Sequence, residues 1–464
     1  MSILLVLPTI DLRAGPLALR FQDGDLRTMV WNGRECVRRI YAAARDRNWG
    51  TAPNLLSDVE VRHDQESFEI RYTCENLLHD IDFAWHCEII GTAGGTITLS
   101  MDGVARKTFL KNRIGFCVLH PASCAGARCD VHHTDGTIST STLPRHITAA
   151  QPVPPFFNMR GLRQQLSPTC WLDLMFTGDA FEMEDQRNWT DASFKTFGTP
   201  LGLPYPVELR EGQRVAQKIE LRLRQDDPAA VPVQRMRAAR AGAQDASAIR
   251  VSIGTRSLPI PRIGVGLGSP IPGNRSHTWQ RLRALKLAHV RADVRIADAE
   301  VVQALRSAIA TSTRLATPLE LALFVPTTDI NASLRDFGAV VRTLKPNVAR
   351  WILYRDREIM AEPPLRDLLA CARQHLGNIA PAAEFAAGVD TDYMFINRYP
   401  VAARRLSALA VAINPQVHAF DDTSLIETLL SGLFLPVISP AVIDSGSRDQ
   451  ARNIKGDDVD MFFR

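Results

Sequence analysis

Short segments in which apolar and polar residues alternate fill the first half of the chain, from residue 12 to about residue 225. Alternation with a period of two is typical of strands that bury one face. Asn32-Gly33 separates two of these segments, and it is a strong hairpin signal because both positions tolerate a positive φ. Many short strands separated by turns predict an antiparallel β-sandwich, which we assign to residues 1–225.

A different pattern follows residue 250, where short apolar segments alternate with amphipathic segments of helical period. This alternation predicts a parallel sheet with crossover helices, and we expect a (β/α)8 TIM-type barrel over residues 251–464. Residues 226–250, rich in Ala, Arg and Gln, are interpreted as a linker. The predicted barrel strands are 263–267, 289–294, 319–325, 349–354, 382–387, 409–413 and 435–438.

The predicted barrel is one strand short of eight. Residues 393–397 are an alternative eighth strand, whereas the polar residues 444–464 offer none. We therefore expect a barrel that lacks its last strand and helix. Such a barrel would expose two sheet edges and apolar surface, so the chain should aggregate or cover the gap in an oligomer.

Composition narrows the class of protein. The 464 residues are 45% hydrophobic and 22% charged, which is ordinary for a soluble globular protein. A net charge of +4 without a Lys/Arg run argues against nucleic-acid binding. None of the eight cysteines forms a C-x-x-C motif, and no apolar run reaches the roughly 18 residues that span a bilayer. We expect a cytoplasmic protein with no cofactor, no metal and no membrane partner.

The largest concentration of candidate functional side chains lies in residues 181–196. On a strand, Glu182 and Glu184 share one face, roughly 6.5 to 7 Å apart, with room for one water between them. Trp189 and Phe194 interrupt the charges, as in a pocket wall where an apolar surface meets a few polar groups. The alternative interpretation is a solvated salt-bridge surface.

Further polar groups occur at residues 45–51, at residues 112–113 and behind the predicted barrel strands. The tripeptide Arg-Asn-Trp stands at both 47–49 and 187–189. Behind the barrel strands lie Asn397-Arg398 and the segment 414–422, which contains His418. Ligand groups in a barrel lie at the C-terminal ends of its strands. A lone histidine there is more often structural, but the Gln and Asp residues beside His418 favour a site.

Residues 45–51, 112–121, 182–195 and 414–422 together resemble the D-apionate lactonase family, and the resemblance extends over nearly the whole chain. It implies hydrolysis of D-apionolactone to D-apionate in the catabolism of apiose. One departure is Phe395, which stands where the family has an acidic residue.

Opening a lactone requires an activated water, donors for the developing oxyanion and a proton for the leaving alkoxide. No G-x-S-x-G motif occurs, so a serine nucleophile of the hydrolase type has no support. The catalytic candidates are Glu182, Glu184, Arg187 and His418. The substrate-binding candidates for a sugar lactone are Arg45, Arg47, Asn48, Trp49, Asn112, Arg113, Asn188, Trp189, Asp191, Lys195, Asn397, Arg398, Gln416 and Asp421.

We expect the sandwich loops to cover the C-terminal mouth of the barrel and to share one site with it; a polar interface without a ligand is the alternative. Two other functions stay open. A glycosidase would need two carboxylates at barrel strand ends, and Glu320 and Glu384 are the glutamates in predicted barrel strands. A non-catalytic carbohydrate-binding relative would bind the lactone without releasing acid.

Overall fold

The computed structural model describes residues 8–225, 262–268, 276–355, 364–398, 408–413, 417–432 and 462–463. The chain divides into two compact units. The first unit comprises Met1–Arg187 and Ala192–Val251, and the second comprises Asn188–Asp191 and Ser252–Arg464. The predicted linker 226–250 and the predicted strand 435–438 lie outside the described residues.

The described residues of the first unit form seventeen strands, all paired antiparallel. They are β1 (Ile10–Ala14), β2 (Leu17–Gln22), β3 (Asp25–Trp31), β4 (Arg34–Asp46), β5 (Asn54–His63), β6 (Phe68–Leu78), β7 (Ile81–Gly91), β8 (Thr96–Ala105), β9 (Phe109–Pro121), β10 (Arg128–His133), β11 (Ile138–Thr142), β12 (Met159–Ser167), β13 (Cys170–Thr177), β14 (Phe181–Asp185), β15 (Ser193–Gly198), β16 (Val207–Leu209) and β17 (Arg214–Gln225). Short 3₁₀ turns occupy Ala122–Cys124 and Gln186–Trp189. The antiparallel β structure predicted for the first half of the chain is confirmed.

Two runs of neighbouring strands make up this unit. One run has the order β5-β6-β7-β8-β17-β13-β12-β10-β11, and the other has the order β14-β15-β9-β4-β3-β2-β1 with β16 beside β9. A single register pair, Met159 with Phe181, joins β12 to β14. Apolar side chains from both runs meet in one core cluster, and the stacked rings of Phe176 and Phe181, 4.3 Å apart, lie within it.

The second unit alternates strand and helix. Its parallel strands are β18 (Gly264–Gly266), β19 (His289–Arg295), β20 (Leu319–Phe324), β21 (Val348–Tyr354), β22 (Glu384–Val389), β23 (Ala408–Ile413) and β24 (Phe462–Phe463). Its helices are α1 (Ser276–Ala284), α2 (Val301–Leu315), α3 (Ile330–Leu344), α4 (Pro364–Leu376), α5 (Tyr393–Arg398) and α6 (Asp422–Gly432). Each strand pairs with the next in chain order, so the described residues form an open half-barrel of seven strands.

Two expectations for this unit are wrong. Residues 393–397, the alternative eighth strand, belong to helix α5, because Tyr393, Met394, Ile396 and Asn397 are buried at a helical spacing that a strand cannot place on one face. The C-terminal tail does contribute a strand, since Phe462 and Phe463 pair with Ala412 and Ile413 at the end of β23.

Within the described residues, no helix has both the length and the apolar composition that crossing a bilayer requires.

A buried histidine makes the first unit sensitive to acid. His120 is completely buried, and its Nε2 atom lies 3.0 Å from Thr196 Oγ1. Burial lowers the pKa of His120 from 6.5 to about 4. Its neutral ring therefore stabilises the fold above pH 6.5, and this contribution is lost as the pH falls towards 4.

We expect His120→Asn to reduce the loss of unfolding free energy between about pH 7 and about pH 4.5 by about 2 kcal/mol, because the variant has no buried imidazole to protonate. Urea unfolding of both proteins at the two pH values measures this difference. His63→Asn, at an exposed position on β5, is the control and should leave the loss unchanged. An equal loss in the wild type and His120→Asn would contradict the prediction.

Candidate active site

Strand β14 presents its two glutamates on one face, as predicted. Glu184 lies opposite Lys195 on β15, and Glu182 lies opposite Phe197. The glutamates are only 3% and 9% exposed, so the alternative of a solvated salt-bridge surface is wrong for both. Phe181 and Met183 point the other way, into the core.

The same face continues across neighbouring strands. Strand β15 pairs with β9, and β9 pairs with β4, where Arg113 lies directly opposite Arg45. Residues directly opposite each other in a ladder share a face. We call Glu182, Glu184, Lys195, Arg45 and Arg113 the sheet-face cluster. It brings together five of the residues that the sequence predicted for a site.

Glu184 and Lys195 form a buried ion pair. Lys195 Nζ lies 2.7 Å from Glu184 Oε1, and Gln186 Nε2 donates to the same oxygen at 3.2 Å. Burial acts to lower the pKa of Lys195, but the Glu184 carboxylate overcomes it and raises that pKa above the ordinary lysine value. The pair is thus charged, and it neutralises a buried carboxylate that would otherwise be costly.

Glu182 has a different environment. Its Oε1 atom accepts a hydrogen bond from the Leu201 backbone N–H at 2.6 Å. Burial raises the pKa of Glu182, while the Leu201 N–H and the charge of Arg113 act in the opposite direction. A carboxyl group with a raised pKa is suited to hold a proton nearer to neutral pH.

Arg113 lies beneath two aromatic rings. Its Cζ atom is 5.7 Å from the ring centroid of Trp49 and 5.1 Å from that of Tyr205. Its Nη2 atom donates to Pro200 O at 2.8 Å, and burial lowers its pKa. The neighbouring Asn112 is buried, and its carboxamide has no hydrogen-bond partner among the described residues.

The loop between β4 and β5 places its predicted site residues in different surroundings. Arg45 Nη1 donates to Trp49 O at 3.2 Å. Arg47 and Asn48 are exposed, and Arg47 only approaches Asp80, at 3.4 Å, in a pair that is itself exposed. The structure therefore does not bring Arg47 and Asn48 to the sheet-face cluster, because the turn directs them outward.

Arg187, a predicted catalytic residue, does not share the face of Glu182 and Glu184. Its guanidinium pairs with Asp185, with Nε at 2.8 Å from Oδ1 and Nη2 at 2.7 Å from Oδ2. It also donates to three backbone carbonyls, at residues 144, 145 and 146, and lies 4.4 Å above the Phe194 ring. Asp185 is one residue from Glu184 and so faces the opposite side of β14. Arg187 is held by these partners rather than directed at a substrate.

The second unit contains a histidine–carboxylate pair. His418 Nδ1 lies 2.6 Å from Asp191 Oδ2, and the Trp189 ring meets the His418 ring edge to face at 5.7 Å. Asp191 is buried, whereas His418 is partly exposed. A carboxylate that accepts the Nδ1 proton holds the imidazole in the tautomer whose Nε2 lone pair is available. Nε2 has no hydrogen-bond partner among the described residues.

Asn188 and Asn397 bind each other in the same unit. Asn397 Nδ2 donates to Asn188 Oδ1 at 3.0 Å, and both side chains are buried. Arg398, the last residue of α5, is exposed instead. Gln416, another predicted substrate-binding residue, lies outside the described residues.

Asp421 caps a helix, which the substrate-binding prediction did not anticipate. Its Oδ1 and Oδ2 atoms accept hydrogen bonds from the backbone N–H and the hydroxyl of Ser424, at 3.0 and 2.8 Å. An aspartate that precedes the first turn satisfies amide groups that the helix leaves unpaired. Both carboxylate oxygens of Asp421 thus cap the N-terminus of α6.

The carboxylates that a glycosidase would need lie at the wrong end of their strands. Glu384 is the first residue of β22, and Glu320 is the second of β20. Arg350 joins them, at 2.6 Å from Glu384 and 3.2 Å from Glu320. Catalytic groups of barrels lie at the C-terminal ends, so this network has the position of a stabilising one. Across the described ranges, no three His, Cys, Asp or Glu side chains converge as a metal site would require.

Sequence reasoning missed two partners of the sheet-face cluster. Tyr205 lies in the loop between β15 and β16, outside any polar group that would have drawn attention to it. Leu201 contributes a backbone N–H, which no side-chain pattern reveals. The pairing of Asp185 with Arg187 could have been found, since a buried strand residue of opposite charge stands two positions away.

Comparison with known proteins gives a consistent result over both units. A model of the D-apionate lactonase N-terminal domain matches residues 6–226, and a model of the D-apionate lactonase TIM barrel domain matches residues 263–438. The D-apionate lactonase of Brucella anthropi is 31% identical in an alignment 453 residues long, which covers 93% of this chain and 70% of that protein. These matches confirm the resemblance drawn from the sequence.

Solved structures are more distant. A β-arabinopyranosidase has a TM-score of 0.31 at 10% identity, covering 82% of this chain and 66% of its own. An aldose epimerase homologue from C. elegans has a TM-score of 0.31 at 9% identity, covering 47% of this chain and 99% of its own. Overlaps of this size support no conclusion about function.

We expect Arg187→Leu to lower the unfolding free energy by about 3–5 kcal/mol, because it removes the guanidinium from a fully buried Asp185 carboxylate. Denaturant unfolding followed by circular dichroism measures the change. Arg47→Leu, which removes the cation of an exposed pair, is the matched control and should change stability little. Equal stability of Arg187→Leu and the wild type would contradict a structural role for Arg187.

Proposed function

Because the chain belongs to the D-apionate lactonase family, we propose that it is a carboxylic-ester hydrolase that opens a sugar-acid lactone. Its proposed substrate is D-apionolactone and its product D-apionate, in the catabolism of apiose. The observation that carries the chemistry is the contact of 2.6 Å between Asp191 Oδ2 and His418 Nδ1. We also propose that the first unit is the β-sandwich of the family and that the second unit is its (β/α)8 barrel.

The pair provides a general base. The Nδ1–H group of His418 donates a hydrogen bond to Asp191, so the Nε2 atom of the ring keeps its lone pair. That atom takes a proton from a water molecule as the water oxygen forms a bond to the lactone carbonyl carbon. Asp191 then stabilises the imidazolium that has formed, as a buried carboxylate does in histidine-based hydrolysis.

The same imidazolium completes the reaction. When the tetrahedral intermediate collapses, the ring C–O bond of the lactone breaks, and Nε2 of His418 returns the proton to the leaving alkoxide. The product is an open-chain hydroxy acid, and the histidine regains its starting tautomer. This sequence requires no covalent intermediate, which accords with the lack of a nucleophile motif in the sequence.

The position of His418 supports this assignment. It follows the C-terminal end of β23 by five residues, and the C-terminal strand ends carry the catalytic groups of barrel enzymes. Trp189 packs edge to face against the ring, which restricts its orientation. Glu182, with its raised pKa, stays a predicted proton-transfer group, and the remaining residues of the sheet-face cluster stay predicted substrate-binding groups.

The direct test is acid release measured with a pH indicator. D-apionolactone and a small panel of aldonolactones are offered to the purified full-length chain, with each lactone alone as the blank for spontaneous opening. We expect acceleration for D-apionolactone above the other lactones. Binding of the lactone without acid release would indicate a non-catalytic carbohydrate-binding protein, and lack of both would reject the proposal.

We expect His418→Gln and Asp191→Asn each to lower kcat by about 10²-fold or more, because the first removes the base and the second removes the charge that sets its tautomer. KM should change much less. His277→Gln, which alters an exposed histidine on α1 of the same unit, is the control and should keep full activity. A kcat within about threefold of wild type for His418→Gln would remove this residue from the mechanism.

A further inference from the structure

Two aromatic rings of the first unit form an exposed corner. Trp49 is 39% exposed and Tyr205 is 47% exposed. Their ring centroids are 5.1 Å apart with an angle of 70° between the planes. The rings pack against each other while offering apolar surface to solvent, which is the arrangement of a binding surface rather than of a core.

A buried cation supports this corner. Arg113 is 5% exposed and lies within 6 Å of both ring centroids, at 5.7 Å from Trp49 and 5.1 Å from Tyr205. Its Nη1 and Nη2 atoms donate to Asn112 O and Pro200 O, at 2.6 and 2.8 Å, so the guanidinium is fixed in place. Cation–π contacts on both rings restrain them in turn. These contacts therefore hold the two exposed rings in a defined arrangement.

The backbone of Trp49 is also held in an unusual conformation. Its φ is +69°, a left-handed value that is uncommon for bulky residues. The Asp46 Oδ1 atom accepts hydrogen bonds from the N–H groups of Asn48 and Gly50, at 2.8 and 2.7 Å, and Asp46 O accepts from Trp49 N at 3.1 Å. The loop thus maintains a conformation that projects an apolar ring outward, although exposing that ring contributes nothing to the core.

The cation beneath the corner keeps unused hydrogen-bonding capacity. Nε of Arg113 is buried and has no hydrogen-bond partner among the described residues. Arg45 lies opposite Arg113 across β4 and β9. The three cations of the sheet-face cluster outnumber its two carboxylates, and this surplus favours a ligand that carries negative charge.

We propose that Trp49 and Tyr205 bind the carbon face of a sugar acid or its lactone, with the positive potential of Arg113 favouring the carboxylate form. A polyhydroxylated ligand presents C–H groups on one face, which pack on aromatic rings, and hydroxyls at its edge, which bond to the Tyr205 hydroxyl. The identity of the ligand class rests on the proposed function. The binding surface itself rests on the geometry of the two rings.

Isothermal titration of the full-length chain with D-apionate, and separately with D-gluconate, tests the surface without any turnover. We expect the wild type to bind at least one of the two acids, and Trp49→Ala and Tyr205→Ala to bind it at least about tenfold more weakly. Trp49→Phe keeps a ring and should retain most of the affinity. Phe157→Ala removes another ring that is 39% exposed on the same unit, and it should bind like the wild type.

Binding that Trp49→Ala leaves within twofold of wild type would overturn the proposal, as would no binding of either acid by the wild type. A loss of affinity in Phe157→Ala equal to that in Trp49→Ala would also count against it. Failure of the proposed function gives a different result, namely ring-dependent binding of the acid without any hydrolysis of the lactone. Hydrolysis at an unchanged KM in Trp49→Ala would keep the function and reject this surface.

Discussion

The alternation of side chains along β14 separates core from chemistry in the first unit. Phe181 and Met183 pack in the core, while Glu182 and Glu184 face the opposite side. A strand cannot bury both kinds of residue on one face, since neighbouring side chains point in opposite directions. A shift of one residue in the pairing with β15 would carry both carboxylates into the apolar core. The register of these two strands therefore determines whether the sheet-face cluster exists at all.

Burial then determines how each charge is accommodated. Taking an ionised group out of water is costly unless an opposite charge or a hydrogen bond replaces the lost solvation. Glu184 meets Lys195, and Asp185 meets Arg187 on the other face of the strand. Glu182 receives a backbone N–H instead, and its pKa rises. The three acidic residues of this one strand thus have three different electrostatic environments.

In the second unit, the same reasoning applies to the pair of Asp191 and His418. Asp191 is buried, and its contact with His418 Nδ1 satisfies part of its need for a donor. The same contact fixes which imidazole nitrogen keeps its lone pair. Asp421 shows the contrast, because it directly precedes α6 and both of its carboxylate oxygens cap that helix. The two aspartates therefore differ in the donor that they contact, a histidine for Asp191 and the first turn of a helix for Asp421.

The sequence by itself determined the features that follow from local periodicity. The antiparallel strands of the first unit, the alternating strands and helices of the second, and the common face of Glu182 and Glu184 all follow from spacing along the chain. Long-range contacts were decided only by the tertiary structure. Arg187 donates to the carbonyls of residues 144–146, Asn397 binds Asn188, and Tyr205 contacts Arg113 from a distant loop. The physical reason is that periodicity reports which face a residue occupies, whereas its partner depends on which other segments the fold brings to that face.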